Sequence, residues 1–373
     1  MAKHTMQELY QWQALPLNIK VLMTAERVRN WVNEFGEDGV YLSFSAGKDS
    51  TVLGHIIREV CGYKNIPFVF ADVPTQYPEL KEFAQTFDNL VILKPKISFA
   101  QVCEKYGFPM ISKEVSNCVS GARKYVKYLD SQKSNNTILT DRQTDRQTDR
   151  QTDRQTIPYA CYMADLLGID RRVNKQNEQY KSLQMGVIPS GSEYRLRRLN
   201  GELTDSKGNY SQFNQEKYKF FLDAPFEISD LCCDIMKKKP AHNYEKKTGR
   251  KPIIATMASE SVMRTRKWLQ DGCNAFNVTR PHSNPMSFWT EQDVLLYIKE
   301  NNLPICSVYG EVVTDYEAMG QCENQMSLAD FGIFDKERPL LKTTGCQRTG
   351  CVLCGFGCHL EKESRFLRLK ETH

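Results

Sequence analysis

The chain has 373 residues and a formal net charge of +5, with 40% hydrophobic and 25% charged residues. That is ordinary globular usage, long enough for two domains or for one α/β domain with insertions. No uncharged apolar window of about 18 residues occurs, which argues against a membrane-spanning helix. The N-terminus, MAKHTMQELYQWQ, has no apolar signal core, so the expected location is cytoplasmic.

In chain order, residues 17–35 place Ile19, Leu22, Met23, Val28, Trp31 and Val32 on a helical period, with Gly36 as the stop. An apolar run at residues 39–42 predicts a strand. It leads into Ser43-Phe44-Ser45-Ala46-Gly47-Lys48-Asp49-Ser50, and residues 51–60 then take a helical pattern. Small side chains in such a strand–loop–helix passage let backbone N–H groups close around an anion at the helix N-terminus. Lys48 adds a point charge, and the hydroxyls of Ser43, Ser45 and Ser50 add donors. The mild positive charge of the whole chain suits such a ligand without demanding nucleic acid. A second strand over residues 66–71 ends at Asp72, which a parallel sheet would put beside the loop. Residues 90–93 predict a third strand, residues 99–106 a helix, and residues 113 to about 129 another.

From Thr140 the unit Thr-Asp-Arg-Gln recurs four times, ending at Thr156. With balanced charge and nothing to bury, it reads as an expansion inside a surface connection. Residues 157–215 are polar, and Arg195, Arg197 and Arg198 form a basic patch that is either a solvated face or a phosphate contact. Residues 217–222 predict an edge strand and residues 228–239 a short basic helix. A further strand at 253–255 precedes Glu260, Ser261 and Arg264 on a new helix, whose N-terminus, hydroxyl and guanidinium can meet a phosphate or sulfate. Thr290 is expected to cap a helix that turns Val294, Leu295 and Ile298 toward the core.

The loop string resembles the PP-loop of the adenine nucleotide alpha-hydrolase superfamily and, within it, the phosphoadenosine phosphosulfate (PAPS) reductase family. That family's loop usually reads Ser-Gly-Gly-Lys-Asp-Ser; here Ala46 takes the first glycine position. If that position needs φ > 0, alanine costs about 1 kcal/mol. The string is not of the Walker type. Asp72, Pro78 and Glu79 match a family segment that contacts the nucleoside, and Glu260-Ser261 with Arg264, then Trp289-Thr290, extend the likeness. The resemblance implies a doubly wound, mostly parallel α/β sheet of about five strands, adenine nucleotide alpha-hydrolase-like, with a helical insertion and a Cys-rich C-terminal segment. The α/β domain would then be split into residues 1–115 and 216–310, around an insertion at 116–215 that contains the repeat at 140–156. Residues 311–373 would bind metal. It also implies an adenine nucleotide (PAPS, adenylylsulfate, or ATP with Mg) held by Ser43, Ser45, Ala46, Gly47, Lys48, Ser50, Asp72, Glu260, Ser261 and Arg264. Lys48, Asp49 and Arg264 are the catalytic candidates.

Thirteen cysteines in a chain read as cytoplasmic are expected to be thiols or metal ligands. Cys61, Cys103, Cys118, Cys161, Cys273, Cys306 and Cys322 lack ligand spacing and read as small buried hydrophobes. Cys346, Cys351, Cys354 and Cys358 cluster among glycines and include a C-x-x-C pair, which points to a metal. Zinc would be satisfied by those four. Adenylylsulfate reductases of the superfamily instead pair an adjacent Cys-Cys with a distal C-x-x-C around iron–sulfur, which here corresponds to Cys232, Cys233, Cys351 and Cys354. A 4Fe–4S cluster is the favoured reading, with both ligand sets open. The family's Glu-Cys-Gly-Leu-His nucleophile has no counterpart beyond a faint echo in Cys358-His359-Leu360-Glu361. The resemblance implies either reductive sulfite release from an adenylylated sulfate, or PP-loop adenylation coupled to sulfur transfer, as in DNA phosphorothioation and tRNA thiolation. The expected partners are a thiol or electron-donor protein, with nucleic acid in the second case and no membrane. The competing reading is a nucleotide- or metal-sensing regulator with a structural zinc knuckle.

Overall fold

Val40, Leu42 and Phe44 alternate with Tyr41 and Ser43, so one edge-on pleat carries an apolar face and a mixed one. The computed structural model, which describes residues 3–139, 191–318, 340–352, 354–358 and 366–367, makes this stretch a strand. The strands are β1 (Val40–Phe44), β2 (Phe68–Ala71), β3 (Leu90–Leu93), β4 (Met110–Ile111), β5 (Lys251–Ile254), β6 (Asn274–Ala275), β7 (His282–Ser283), β8 (Val312–Thr314), β9 (Leu341–Thr343) and β10 (Gly355–Phe356). The backbone packs as two units. One comprises Met1–Phe99, Cys233–Cys354 and Arg365–His373, the other Ala100–Cys232 and Gly355–Ser364. The repeat at 140–156, together with Cys161 and Cys322, lies outside the described residues.

The first unit holds a six-stranded sheet in the order β3-β2-β1-β5-β7-β6. It is parallel except for β6, which runs antiparallel to β7. Leu42 stands opposite Phe68 on one side and Ile253 on the other. Val40, Leu42 and Phe44 join Phe68, Phe70 and Ile253 in a core covered by Val28, Trp31 and Val32 of the helix Leu17–Phe35 and by Val52, Leu53, Ile56 and Ile57. Gly36, at φ 78°, ends the first of these helices, as its left-handed backbone requires. The chain winds outward from β1 through β2 to β3 and then returns to the far side of β1 as β5. Strand order therefore reverses at β1, and in open α/β sheets the crevice opens at the carboxyl end of such a strand. The sheet has six strands against about five expected: β6 and β7, of two residues each, are too short to show any periodicity, and residues 217–222 do not join it.

The second unit is built on the helix Lys113–Leu139, against which the helix Ser192–Asn200 packs. Val115, Cys118, Val119, Ala122, Leu199, Phe221 and Ile228 form its core, and β4 pairs with β10. Residues 217–222 are not an edge strand: Glu216–Asp223 is a 3-10 helix. Tyr218, Phe221 and Leu222 share a helical face on that core, while Arg123 donates to the carbonyls of Phe221, Leu222, Ala224 and Phe226, gathering oxygens that a strand would send to opposite sides. Arg198 of the basic patch is tied to Glu114 at 2.6 Å and to the Phe213 carbonyl at 2.8 Å. In the first unit, the short helix expected to end near residue 239 instead continues through a π-helical turn, Asp234–Lys238, into Lys239–Thr248.

Candidate functional site

β1 ends where its helix begins. Ala46 takes a left-handed backbone at φ 57°, and Gly47 precedes the helix Lys48–His55 in extended conformation. Serine hydroxyls knit the turn. Ser50 Oγ accepts from the Ser45 N–H at 3.2 Å, lies 3.0 Å from Ser45 Oγ and donates to the Gly47 carbonyl at 2.9 Å. Thr51 Oγ1 donates to the same carbonyl at 3.0 Å. A Cβ on Gly47 would fall 3.1 Å from Ser45 Oγ and 3.2 Å from the Tyr309 hydroxyl, so a side chain there would crowd both.

Lys48 is 4% exposed. Its ammonium pairs with Glu291, donates to the Gln347 carbonyl at 2.5 Å and lies 5.5 Å from the Tyr309 ring centroid. The Tyr309 hydroxyl bonds Thr349 Oγ1 at 2.7 Å and accepts the Lys48 backbone N–H; burial pushes that phenol up to about 12. Asp49 is enclosed, and its Oδ1 accepts no hydrogen bond among the described residues. Burial holds its carboxyl above the ordinary range, opposed by Lys48 and, more weakly, by Arg348 and Arg264.

The mixed face of the sheet opens onto a cleft of about 710 Å³. Ser43 and Ser45, Val69 and Ala71, and Pro252 and Ile254 form its floor, each pair spaced two apart on its own strand or strand end. Lys237, Lys238, Arg264, Lys267 and Arg280 on its walls outnumber Glu245 and Asp271. Glu245 grips Arg280 through two oxygens at 2.6 and 2.7 Å and accepts the Tyr41 hydroxyl at 2.6 Å. Tyr41 and Arg280 are thus fixed at one end of the cleft.

Of the expected nucleotide ligands, the cleft brings together Ser43, Ser45 and Arg264. Ala46, Gly47, Lys48 and Ser50 form the turn at its rim, with the Lys48 ammonium directed to Glu291 and Gln347. Asp72 follows β2 and pairs with Lys81 at 2.9 Å. Ser261 caps the helix Val262–Asp271 by accepting the Arg264 N–H at 3.3 Å, while Glu260 accepts the Met257 N–H and pairs with Arg264. Thr290 caps the helix Glu291–Glu300, whose Val294, Leu295 and Ile298 are buried. Sequence reading missed Glu291, Tyr309, Gln347, Arg348 and Thr349, none of which carries a motif. It also missed Lys237, Lys238, Lys267 and Arg280. The small residues alternating along the strands were the available sign of a cleft floor.

Cys346 lies in the first unit. Its N–H donates to the Val308 carbonyl at 2.8 Å, its thiol to the Tyr77 hydroxyl at 3.7 Å. Gly345 makes this approach possible, since a Cβ there would meet the Val308 carbonyl at 2.4 Å. In the C-x-x-C pair, the Cys354 N–H closes a turn onto the Cys351 carbonyl at 3.0 Å. Cys233 belongs to this unit; Cys232 and Cys358 belong to the other. The thiols are the right donors for iron–sulfur or zinc. Yet among the described residues no three His, Cys, Asp or Glu side chains are gathered as a metal site. Cys103, Cys118, Cys273 and Cys306 are buried and Cys61 is half-buried; burial pushes all five thiols up, which leaves them inert. No described helix is long and apolar enough to cross a membrane.

The family described as "Phosphoadenosine phosphosulfate reductase domain" matches residues 123–355. A solved structure, the phosphate complex of phosphoadenylyl-sulfate (PAPS) reductase from Candida auris, is similar over 82% of this chain and 91% of its own. Its identity is 13% and its TM-score 0.35. No curated protein matches.

Proposed function

Since the chain belongs to the phosphoadenosine phosphosulfate reductase family, we propose that it is an enzyme acting on an adenylyl nucleotide in this cleft, releasing sulfite reductively from an adenylylated sulfate. The observation that carries the reading is the cleft itself, with a floor of small and apolar side chains for a base and cationic walls at the switch point of the sheet. Arg264 and the cap of its helix hold the anionic end. Lys48 neutralises charge that develops on the leaving phosphate. Ser45 and Ser50 fix the turn that presents it.

The tail cysteines supply thiol chemistry close to the loop: Cys346 adjoins Gln347, whose carbonyl Lys48 grips. A 4Fe–4S cluster is the group we assign to the cysteines, held by Cys346, Cys351, Cys354 and Cys358 or by Cys232, Cys233, Cys351 and Cys354, with zinc as the alternative. Its contribution when bound would be charge and electron capacity beside the nucleotide. The metal itself would hold the thiols together when bound.

The test is anaerobic turnover with a dithiol reductant, scoring nucleotide and sulfite together. The reading expects adenosine phosphate and sulfite in equal amounts from adenylylsulfate or its 3′-phosphorylated form, and a loss of roughly 10- to 100-fold in nucleotide affinity for Arg264→Ala. Pyrophosphate released from ATP without sulfite would transfer the assignment to adenylation coupled to sulfur transfer. Turnover of none of these would leave a binding protein.

A further inference from the structure

The loop's cation and its neighbouring donors already have partners inside the molecule. The Lys48 ammonium is engaged by Glu291 and the Gln347 carbonyl, and its backbone N–H by Tyr309, which in turn holds Thr349. The Ser45 N–H goes to Ser50 and the Gly47 N–H to Ser45. Two of these partners, the Gln347 carbonyl and Thr349, belong to an arch with two footings. At one end Gly345 and Cys346 bond the carbonyls of Tyr309 and Val308, at 2.9 and 2.8 Å; at the other, the Val352 N–H donates to the Thr75 carbonyl at 2.7 Å. Between the footings, the Gln347 carbonyl accepts from the Lys48 ammonium and Thr349 bonds Tyr309, while the Gln347 and Arg348 side chains are exposed.

We propose that residues 347–349 are an internal occupant of the loop, which an anionic ligand displaces when it takes the Lys48 ammonium. The proposal rests on the nucleotide reading above only for the ligand's identity. The competition is unequal in the required direction. A neutral carbonyl dipole faces a phosphate or sulfate oxygen that carries charge, and a buried ammonium gains more from the latter. Gly350 gives the arch a residue without a side chain on which to swing. Since Cys351 lies within the arch, a filled loop moves one thiol of the C-x-x-C pair. Loop occupancy and the state of the cysteine segment then form one linked equilibrium, with equal effect in both directions.

Hydrogen exchange on the full chain, read by peptide mass spectrometry, tests this with adenylylsulfate and with inorganic pyrophosphate, each at saturation by calorimetry. The expected result is faster exchange over residues 347–351 and slower exchange over 45–51 on binding. Thr349→Val, which loosens the arch without touching the loop backbone, should speed exchange in the unliganded chain and tighten pyrophosphate binding about two- to tenfold. Nucleotide binding with unchanged exchange at 347–351, or weaker binding by Thr349→Val, overturns the arch as occupant and leaves the nucleotide reading standing. A response to pyrophosphate without any to adenylylsulfate upholds the arch and removes adenylylsulfate as its ligand. No response to either anion overturns the proposal.

Discussion

Ala46 holds left-handed backbone with its methyl fully enclosed. An L side chain there costs roughly 1–2 kcal/mol, while the buried methyl returns about 0.8 kcal/mol. Ala46→Gly should therefore leave stability within about 1 kcal/mol of the parent, whereas Ala46→Val, branched at Cβ in the same backbone, should lose about 2 kcal/mol or more. Urea denaturation distinguishes them, and equal losses would mean that the methyl's packing decides the position. Asp49 gives a pH-dependent case. A carboxyl raised on folding weakens the fold when ionised; that penalty is fully present above its folded pKa, fades as pH falls through that pKa, and is gone below the ordinary value of 3.8. Asp49→Asn should raise the urea midpoint at pH 7, with the gain vanishing near about pH 3. A gain of the same size at both pH values would show that charge is not its source. The glycine-position substitution and the Lys-Asp-Ser run were legible in the sequence because a tight anion turn restricts residue types locally. Glu291, Tyr309 and Thr349 were not, because they reach the turn through tertiary contacts from about 240 to 300 residues downstream.

At the scale of elements, one carboxylate oxygen supports a helix start and a buried charge together. Asp293 Oδ2 accepts from the Thr290 N–H at 2.8 Å, the Thr290 hydroxyl at 2.7 Å and the Lys20 ammonium at 2.6 Å, and Lys20 is 1% exposed. Thr290→Ala removes a cap and should cost about 1 kcal/mol. Asp293→Ala strands the buried ammonium and should cost about 3–5 kcal/mol. Similar losses for the two would mean that Lys20 finds another acceptor; it already donates to the Gln13 carbonyl. Elements with long apolar periods, such as Leu17–Phe35, were readable from residue spacing alone. Glu216–Asp223 was not. Its Lys-Tyr-Lys-Phe alternation has a strand period, and only the carbonyls collected by Arg123 and the shared face of Tyr218, Phe221 and Leu222 make it helical. The helix Met6–Gln13 was legible but overlooked: Thr5 and Glu8 form a capping box.

At the scale of the whole molecule, the cysteines from distant parts of the sequence give the sharpest test. Protein purified without oxygen should be brown and carry about four irons per chain. Cys351→Ser or Cys354→Ser should lose the metal under either ligand set. Loss on Cys232→Ser and Cys233→Ser would select one set, and loss on Cys346→Ser and Cys358→Ser the other. A colourless protein with one tightly held zinc would reverse the redox assignment. The sheet's own discontinuity has a different consequence. β1, β2 and β3 belong to the stretch Met1–Phe99, but the strand that covers the other edge of β1 is β5, about 200 residues later. At ribosomal speeds of roughly 5–20 residues per second, the nascent sheet waits on the order of 10–40 s with an apolar strand edge bare. The pace of translation between β3 and β5 therefore governs how long that edge can recruit neighbouring chains.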